Sequence, residues 1–140
     1  MQRSASAVWH GSIKEGKGTI STQSGVLKDA QYSFSTRFEN GIGTNPEELI
    51  GAAHAGCFSM ALSGQLTTAG LPPESIETTA EVSLTKDDKG FVINKIHLTT
   101  RAKVPGLDKE KFAELAETAK AGCPVSRLFN AQITLDATLV

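Results

Sequence analysis

The sequence has few of the residues on which specialised protein classes depend. Its 140 residues include two cysteines, one tryptophan, one tyrosine and five prolines, and the formal net charge is −1. Two cysteines cannot build the dense disulfide framework of a small secreted protein. A balanced charge without a basic cluster argues against nucleic acid or a membrane surface as a partner. Because this length fits one domain, we predict a single soluble domain over residues 1–140.

Long apolar runs are also missing. The most apolar stretch, Ala52–Leu62, is too short to cross a bilayer. Residues 1–9 contain no continuous hydrophobic segment of the kind found in a signal peptide. We therefore expect no membrane span and a cytoplasmic location. In that reducing compartment, a bond between the two cysteines would be transient and chemical rather than a permanent cross-link.

The alternation of apolar and turn-forming residues predicts an antiparallel α+β fold. Three strands come first, followed by a long helix, a β-hairpin, two helices and a last strand. The predicted strands are Ala5–Ser12, Gly18–Ser24, Gln31–Phe38, Ser75–Thr85, Phe91–Lys103 and Ala131–Leu139. The predicted helices are Pro46–Thr68, a second that Asp108 caps and that ends at Ala121, and Pro124–Phe129.

The long helix has a clear start and an unusual composition. Asn45 is a good N-cap, Pro46 suits the first helical position, and Glu48 follows three residues after the cap. Its middle is apolar nearly all round, which is typical of a helix buried on all sides. Since 140 residues can hardly surround so long a helix, we expect a partner subunit to cover part of it. Three glycines in it favour close passage of another backbone: Gly51, Gly56 and Gly64.

The two cysteines occupy different environments. Cys57 lies in the middle of the apolar helix, where a thiol can be an inert small hydrophobe, and a reactive thiolate there needs a cation from elsewhere. Cys123 lies between the helix-stopping Gly122 and the helix-opening Pro124, and a helix N-terminus lowers the pKa of a thiol. Position alone therefore makes Cys123 the more acidic thiol, although it can also be a simple capping residue. Their spacing does not show that they meet.

Two charged residues allow both an ordinary and a catalytic interpretation. Arg37 is either a solvated strand residue or a guanidinium held over a thiolate. Glu47 is either a partner of the helix dipole or the group that orients Arg37. Glu47 and Cys57 are ten positions apart, about 15 Å along a straight helix. To share one site, either the helix bends at Gly51 or Glu47 reaches Cys57 of a second subunit.

His54, one turn before Cys57, is interpreted as a packed, hydrogen-bonded helix residue. With two cysteines and the other histidines scattered along the chain, no metal site is predicted.

Several runs of residues resemble the OsmC/Ohr family. The segment Gly43–Met60 resembles the family signature around its first cysteine, and Ala119–Ser126 resembles the second-cysteine motif. The segments Gly16–Thr22 and Thr36–Phe38 resemble the osmotically inducible OsmC branch in particular. The resemblance implies an intertwined homodimer, with antiparallel sheets wrapped around two long buried central helices and active sites at the subunit interface.

The resemblance also implies a function, a thiol-dependent peroxidase for organic hydroperoxides. It makes Cys57 the peroxidatic cysteine and Cys123 the resolving one, overruling the interpretation from position, and makes Glu47 and Arg37 the active-site glutamate and arginine. It implies no bound cofactor and an external dithiol reductant, such as a lipoyl group or a lipoylated protein. Two alternatives stay open: a non-enzymatic redox sensor or stress-response binding protein, and a structural stress protein with inert thiols.

Overall fold

Ten secondary-structure elements follow one another along the chain. The computed structural model describes all residues from 1 to 140. The elements are β1 (Ala5–His10), β2 (Lys17–Thr22), β3 (Ala30–Ser33), α1 (Phe34–Phe38), α2 (Pro46–Thr68), β4 (Ser75–Asp87), β5 (Gly90–Lys103), α3 (Lys109–Gly122), α4 (Pro124–Leu128) and β6 (Gln132–Leu139). The chain divides into two compact units, Met1–Leu49 and Ile50–Val140, which are described separately. None of the helices is both long and apolar enough to cross a membrane.

The first unit contains an antiparallel sheet in the order β1-β2-β3. Gly18 in β2 pairs with Trp9 on one side and Tyr32 on the other. A side chain at Gly18 would collide with the Tyr32 ring, so glycine lets the rings of Trp9 and Tyr32 come within 5.3 Å, centroid to centroid. This small aromatic cluster stabilises the sheet.

The predicted strand Gln31–Phe38 is wrong beyond Ser33, where the chain turns into the short helix α1. A capping box starts this helix: Ser33 Oγ accepts from the Thr36 amide at 3.3 Å, and Thr36 Oγ1 accepts from the Ser33 amide at 2.8 Å. Phe34 and Phe38 share a face in either conformation, because residues four apart align in a helix as well as in a strand. Arg37 consequently lies in the last turn of a helix and not on a strand.

The second unit has a sheet in the order β4-β5-β6. The predicted hairpin of β4 and β5 is confirmed, and the prediction of antiparallel sheets holds for every strand pair except β5 with β6, which is parallel. The chain leaves β5, passes through α3 and α4, and returns in the direction of β5, which is the usual way to connect parallel strands. Alternate residues of β5 pack on the core against α2 and α3. The buried apolar side chains are Phe58, Leu62, Leu66, Ile96, Leu98, Ala102, Val104, Phe112, Leu115, Ala116, Ala119 and Cys123.

The long helix α2 begins and ends as predicted. Asn45 Oδ1 accepts from the Glu48 amide at 2.8 Å, and Gly70, with a φ of +78°, lets the Leu71 amide bond back to the carbonyl of Leu66. Its buried residues form one stripe: Gly51, His54, Phe58, Leu62 and Leu66. The other side, which includes Gly56, Met60 and Gly64, is exposed in the single chain. A single chain therefore buries one side of α2 and leaves its other side exposed.

Candidate functional site

The fold brings the two cysteines together although they are 66 positions apart in the sequence. Their sulfur atoms lie 2.8 Å from each other, and both thiols are reduced. Cys57 is presented by the middle of α2, and Cys123 lies at the corner where α3 ends and Pro124 starts α4. The Cys123 amide donates to the Ala119 carbonyl at 2.9 Å, which fixes this corner. The sulfurs can form a bond after only a small movement.

The surroundings of the two sulfurs differ in electrostatic character. Burial raises the pKa of Cys57, and the contact with Cys123 raises it further. Burial also acts to raise the pKa of Cys123, but hydrogen bonds from Cys57, from Ser126 and from the Val125 amide outweigh it, so this pKa is lowered. Between the neutral thiols Cys123 Sγ donates to Cys57 Sγ, and the direction reverses when Cys123 loses its proton, which the amides at the start of α4 favour. Within one chain Cys123 is thus the more acidic thiol, as its position in the sequence predicts.

The first unit contains an ion pair made by the two charged residues that the sequence singles out. Arg37 Nη2 lies 2.6 Å from Glu47 Oε1, and Arg37 Nε also donates to both carboxylate oxygens, at 3.1 and 3.2 Å. The Glu47 side chain is only 12% exposed, whereas that of Arg37 is 36% exposed. Asn45 Nδ2 donates to the Thr36 carbonyl at 3.1 Å and thereby ties α1 to the start of α2. The guanidinium is held in a fixed orientation with one edge available.

An apolar pocket of about 250 Å³ opens beside Arg37. It is lined by Trp9, Ile13, Tyr32, Ser33, Phe34, Arg37, Phe38 and Pro46. Such a lining, half aromatic and with one cation, suits a small organic group that carries a polar end.

Two further residues belong to the surroundings of the sulfurs. His54 is fully buried, as its interpretation as a packed helix residue predicts, and its Nε2 lies 2.7 Å from Ser126 Oγ. Burial lowers the pKa of His54. Ser126 is not among the site residues predicted from the sequence. The signal was present, because Ser126 is three residues after Cys123, where a side chain can face an N-cap residue.

Comparison with known proteins identifies the class. The family model described as OsmC-like protein matches residues 38–138, and the chain belongs to this family. The resemblance seen in the sequence is thereby confirmed, while Arg37 lies one residue before the matched range.

Individual relatives agree with this membership. The chain is 58% identical to "Peroxiredoxin OsmC" of Escherichia coli strain K12 over 139 residues, which cover 99% of this chain and 97% of the relative. It is 37% identical to "Organic hydroperoxide resistance protein OhrB" of Bacillus subtilis strain 168 over 112 residues, 79% of each chain. The crystal structure of Bacillus subtilis OhrB superposes with a TM-score of 0.69 at 29% identity and covers 98% of both chains. The mixed fold with antiparallel strand pairs is therefore that of OsmC and Ohr proteins.

Proposed function

We propose that this protein is a cysteine-based peroxidase that reduces organic hydroperoxides to alcohols. The observation that carries the proposal is the pair of reduced sulfurs, 2.8 Å apart, on two elements of one core. The printed names of its relatives, a peroxiredoxin and an organic hydroperoxide resistance protein, support the same chemistry. We further propose that residues 1–140 act as one OsmC-like domain in the cytoplasm, where thiol reductants are available.

The proposed reaction has three balanced steps. The Cys57 thiolate attacks the distal oxygen of ROOH, the O–O bond breaks, and the departing alkoxide takes a proton to become ROH while Cys57 becomes a sulfenic acid. The Cys123 sulfur then attacks the sulfenic sulfur, releasing water and forming the Cys57–Cys123 disulfide. An external dithiol reduces this disulfide by exchange and is itself oxidised. We propose a lipoyl group or a lipoylated protein as that dithiol, so no bound cofactor takes part.

The first step requires a cation beside Cys57, and we propose that Arg37 supplies it. A guanidinium stabilises the thiolate and can donate to a peroxide oxygen. Glu47 would hold the guanidinium in place through the ion pair described above.

We propose that this cation comes from the second subunit of a homodimer. One helix, α2, carries both Glu47 and Cys57 without an interruption, and ten positions of α-helix span about 15 Å. The exposed side of α2 supports a partner there: a Cβ at Gly56 or Gly64 would meet nothing in the same chain, and Met60 is 79% exposed. Glycines at such positions allow another backbone to approach closely. The dimer would be intertwined, with the two central helices packed together.

The preference for organic peroxides is proposed from the pocket beside Arg37. Its aromatic lining stabilises an alkyl or aryl group by burial, whereas hydrogen peroxide has no apolar part to bury. We expect a higher kcat/KM for an alkyl hydroperoxide than for hydrogen peroxide.

Steady-state peroxide consumption tests the proposal. The wild-type protein is mixed with tert-butyl hydroperoxide or hydrogen peroxide, and dihydrolipoamide serves as the electron donor. We expect many turnovers with the wild type and none with Cys57→Ser. Retained turnover in Cys57→Ser would refute the role of Cys57. Oxidation of one equivalent without turnover by any dithiol would instead identify a redox sensor, and a lack of any fast-reacting thiol would identify a structural protein.

A further inference from the structure

A buried histidine close to the sulfur pair has no part in the reaction as proposed so far. His54 is completely buried in α2, and one of its nitrogens, Nδ1, has no hydrogen-bond partner. The other nitrogen, Nε2, lies 2.7 Å from Ser126 Oγ in α4, and the ring packs edge-on against Phe129, with 5.6 Å between the centroids. Burying a polar nitrogen without a hydrogen-bond partner costs free energy. The burial of His54, with a single hydrogen bond from its other nitrogen, therefore calls for an explanation.

The unpartnered nitrogen indicates the tautomer of His54. A buried N–H without an acceptor is rarer in proteins than a buried acceptor without a donor. We therefore assign the proton to Nε2, which donates to Ser126 Oγ and leaves Nδ1 as a bare acceptor. With its oxygen occupied by this donor, the Ser126 hydroxyl directs its own proton elsewhere.

The Cys123 sulfur is the acceptor available to that proton. Ser126 is the third residue of α4, and Cys123 is the N-cap of the same helix. The hydroxyl and the amide of Ser126 both act on the Cys123 thiol and lower its pKa. His54, which lies 2.7 Å from the Ser126 hydroxyl, and Ser126, which acts on the Cys123 thiol, are therefore arranged in series.

We propose that Ser126 is a catalytic residue of the second step, whose hydroxyl holds the Cys123 sulfur as a thiolate for attack on the Cys57 sulfenic acid, and that His54 positions Ser126. This inference rests on the proposed peroxidase function and deepens it. The Cys123 thiol loses its proton to solvent, the thiolate forms the S–S bond, and the S–O bond of the sulfenic acid breaks. The departing hydroxide takes up a proton, so the products are one disulfide and one water. With the thiolate held ready by Ser126, the Cys57 sulfenic acid is converted to the disulfide before a second peroxide molecule can oxidise it.

Other titratable groups near Cys123 are few. Cys57 contacts it from α2, and His54 on the same helix contacts its neighbour Ser126. Lys120 and Arg127 lie near it along the chain, in the last turns of α3 and α4. Neither cation is among the groups that shift the pKa of Cys123.

A single-turnover experiment on the full-length protein tests the inference. Reduced protein is mixed with one equivalent of tert-butyl hydroperoxide, and sulfenic acid and disulfide are followed by dimedone trapping and intact-protein mass spectrometry. We expect Ser126→Ala to slow disulfide formation about tenfold, the effect of losing one hydrogen bond to a charged sulfur. Ser126→Thr keeps the hydroxyl and should restore the rate. Ser59→Ala is the matched control, because it removes another half-buried hydroxyl, one that donates to Thr78.

A second readout separates this role from a merely structural one. In a Cys57→Ser background, ultraviolet absorbance titrates the Cys123 thiolate, and we expect Ser126→Ala to raise its pKa. If Ser126→Ala fails to fold, the comparison of His54→Leu with His54→Gln decides, since glutamine keeps an N–H donor and leucine does not. Slow disulfide formation in His54→Leu but not in His54→Gln supports the inference.

The outcomes distinguish this inference from the function on which it rests. If Ser126→Ala forms the disulfide at the wild-type rate, the inference is overturned and the peroxidase function is left intact. If Ser126→Ala does not fold, a wild-type rate in His54→Leu has the same meaning. Failure of the wild type itself to form a sulfenic acid on Cys57 overturns both.

Discussion

Among individual residues, the two cysteines have the most unequal surroundings. Cys123 is fully buried at the start of α4, where hydrogen bonds lower its pKa, whereas Cys57 is partly exposed and burial raises its pKa. This arrangement suits a resolving thiol that waits in the core and an attacking thiol that meets the peroxide. In the proposed reaction, the low pKa of Cys123 within one chain serves the second step, and the first step needs the proposed contribution of Arg37.

Replacing the resolving thiol should stop the cycle after its first step. In Cys123→Ser we expect one turnover and then oxidation of Cys57 to the sulfinic acid, because no neighbouring sulfur condenses with the sulfenic acid. Mass spectrometry of the peptide that contains Cys57 should show the gain of two oxygens. Normal multiple turnover in this variant would count against the role of Cys123.

His54 should make stability depend on pH. Burial lowers its pKa in the folded state below the ordinary value of 6.5, so below pH 6.5 the unfolded chain binds a proton that the folded chain does not. The stabilisation is fully present above 6.5 and is lost as the pH falls from there to the folded-state pKa. Urea unfolding across this range should show a shallower loss for His54→Gln than for the wild type. The control is His10→Gln, at an exposed position, and an unchanged slope in His54→Gln would contradict the prediction.

Among the elements, those with specific start and stop residues were predictable from the sequence. Asn45 and Asp108 both cap helices as predicted, and the hairpin turn was placed correctly. The helix α1 was not predictable from alternation, since Phe34 and Phe38 align in a strand and in a helix alike, although Ser33 and Thr36 carried the capping signal. The direction of β6 depends on where α3 and α4 pack, which local patterns do not contain.

The capping box of α1 should contribute measurably to stability. Ser33→Ala removes the acceptor for the Thr36 amide, and loss of an N-cap side chain costs about 1 kcal/mol. The free energy of unfolding from urea titration checks this value. Ser6→Ala, at an exposed position of β1, is the control and should change it little. Equal stability of the two variants would show that the cap is not needed.

At the scale of the whole molecule, the four predicted site residues lie in two pairs, one in each compact unit. The pairing of Arg37 with Glu47 and the meeting of Cys57 with Cys123 each follow from packing within one unit. Their assembly into one site stays a prediction, and it requires the second subunit that the exposed side of α2 suggests. The residue pattern of one chain does not specify how copies of that chain are arranged in an assembly.

Two inactive variants should restore activity to each other if the site is shared between subunits. Cys57→Ser lacks the attacking sulfur, and Glu47→Gln lacks the carboxylate that holds Arg37. When the two variants are co-expressed, each mixed dimer contains one complete site of its two, so the purified mixed dimer should have about half of the wild-type activity. Peroxide consumption by the purified mixed dimer checks this. If no activity returns, the site lies within one subunit; mixing Cys57→Ser with Cys57→Ala is the control that must stay inactive.

The parallel pairing of β6 with β5 also has a consequence for biosynthesis. Residues Gln132–Leu139 are made after α3 and α4, yet they complete the sheet on which α3 packs. A nascent chain that lacks them has no finished surface to hold α3, and the corner that carries Cys123 stays unanchored. The thiol pair is therefore assembled only after β6 has been synthesised, and a chain cut short before Gln132 should lack a working redox centre.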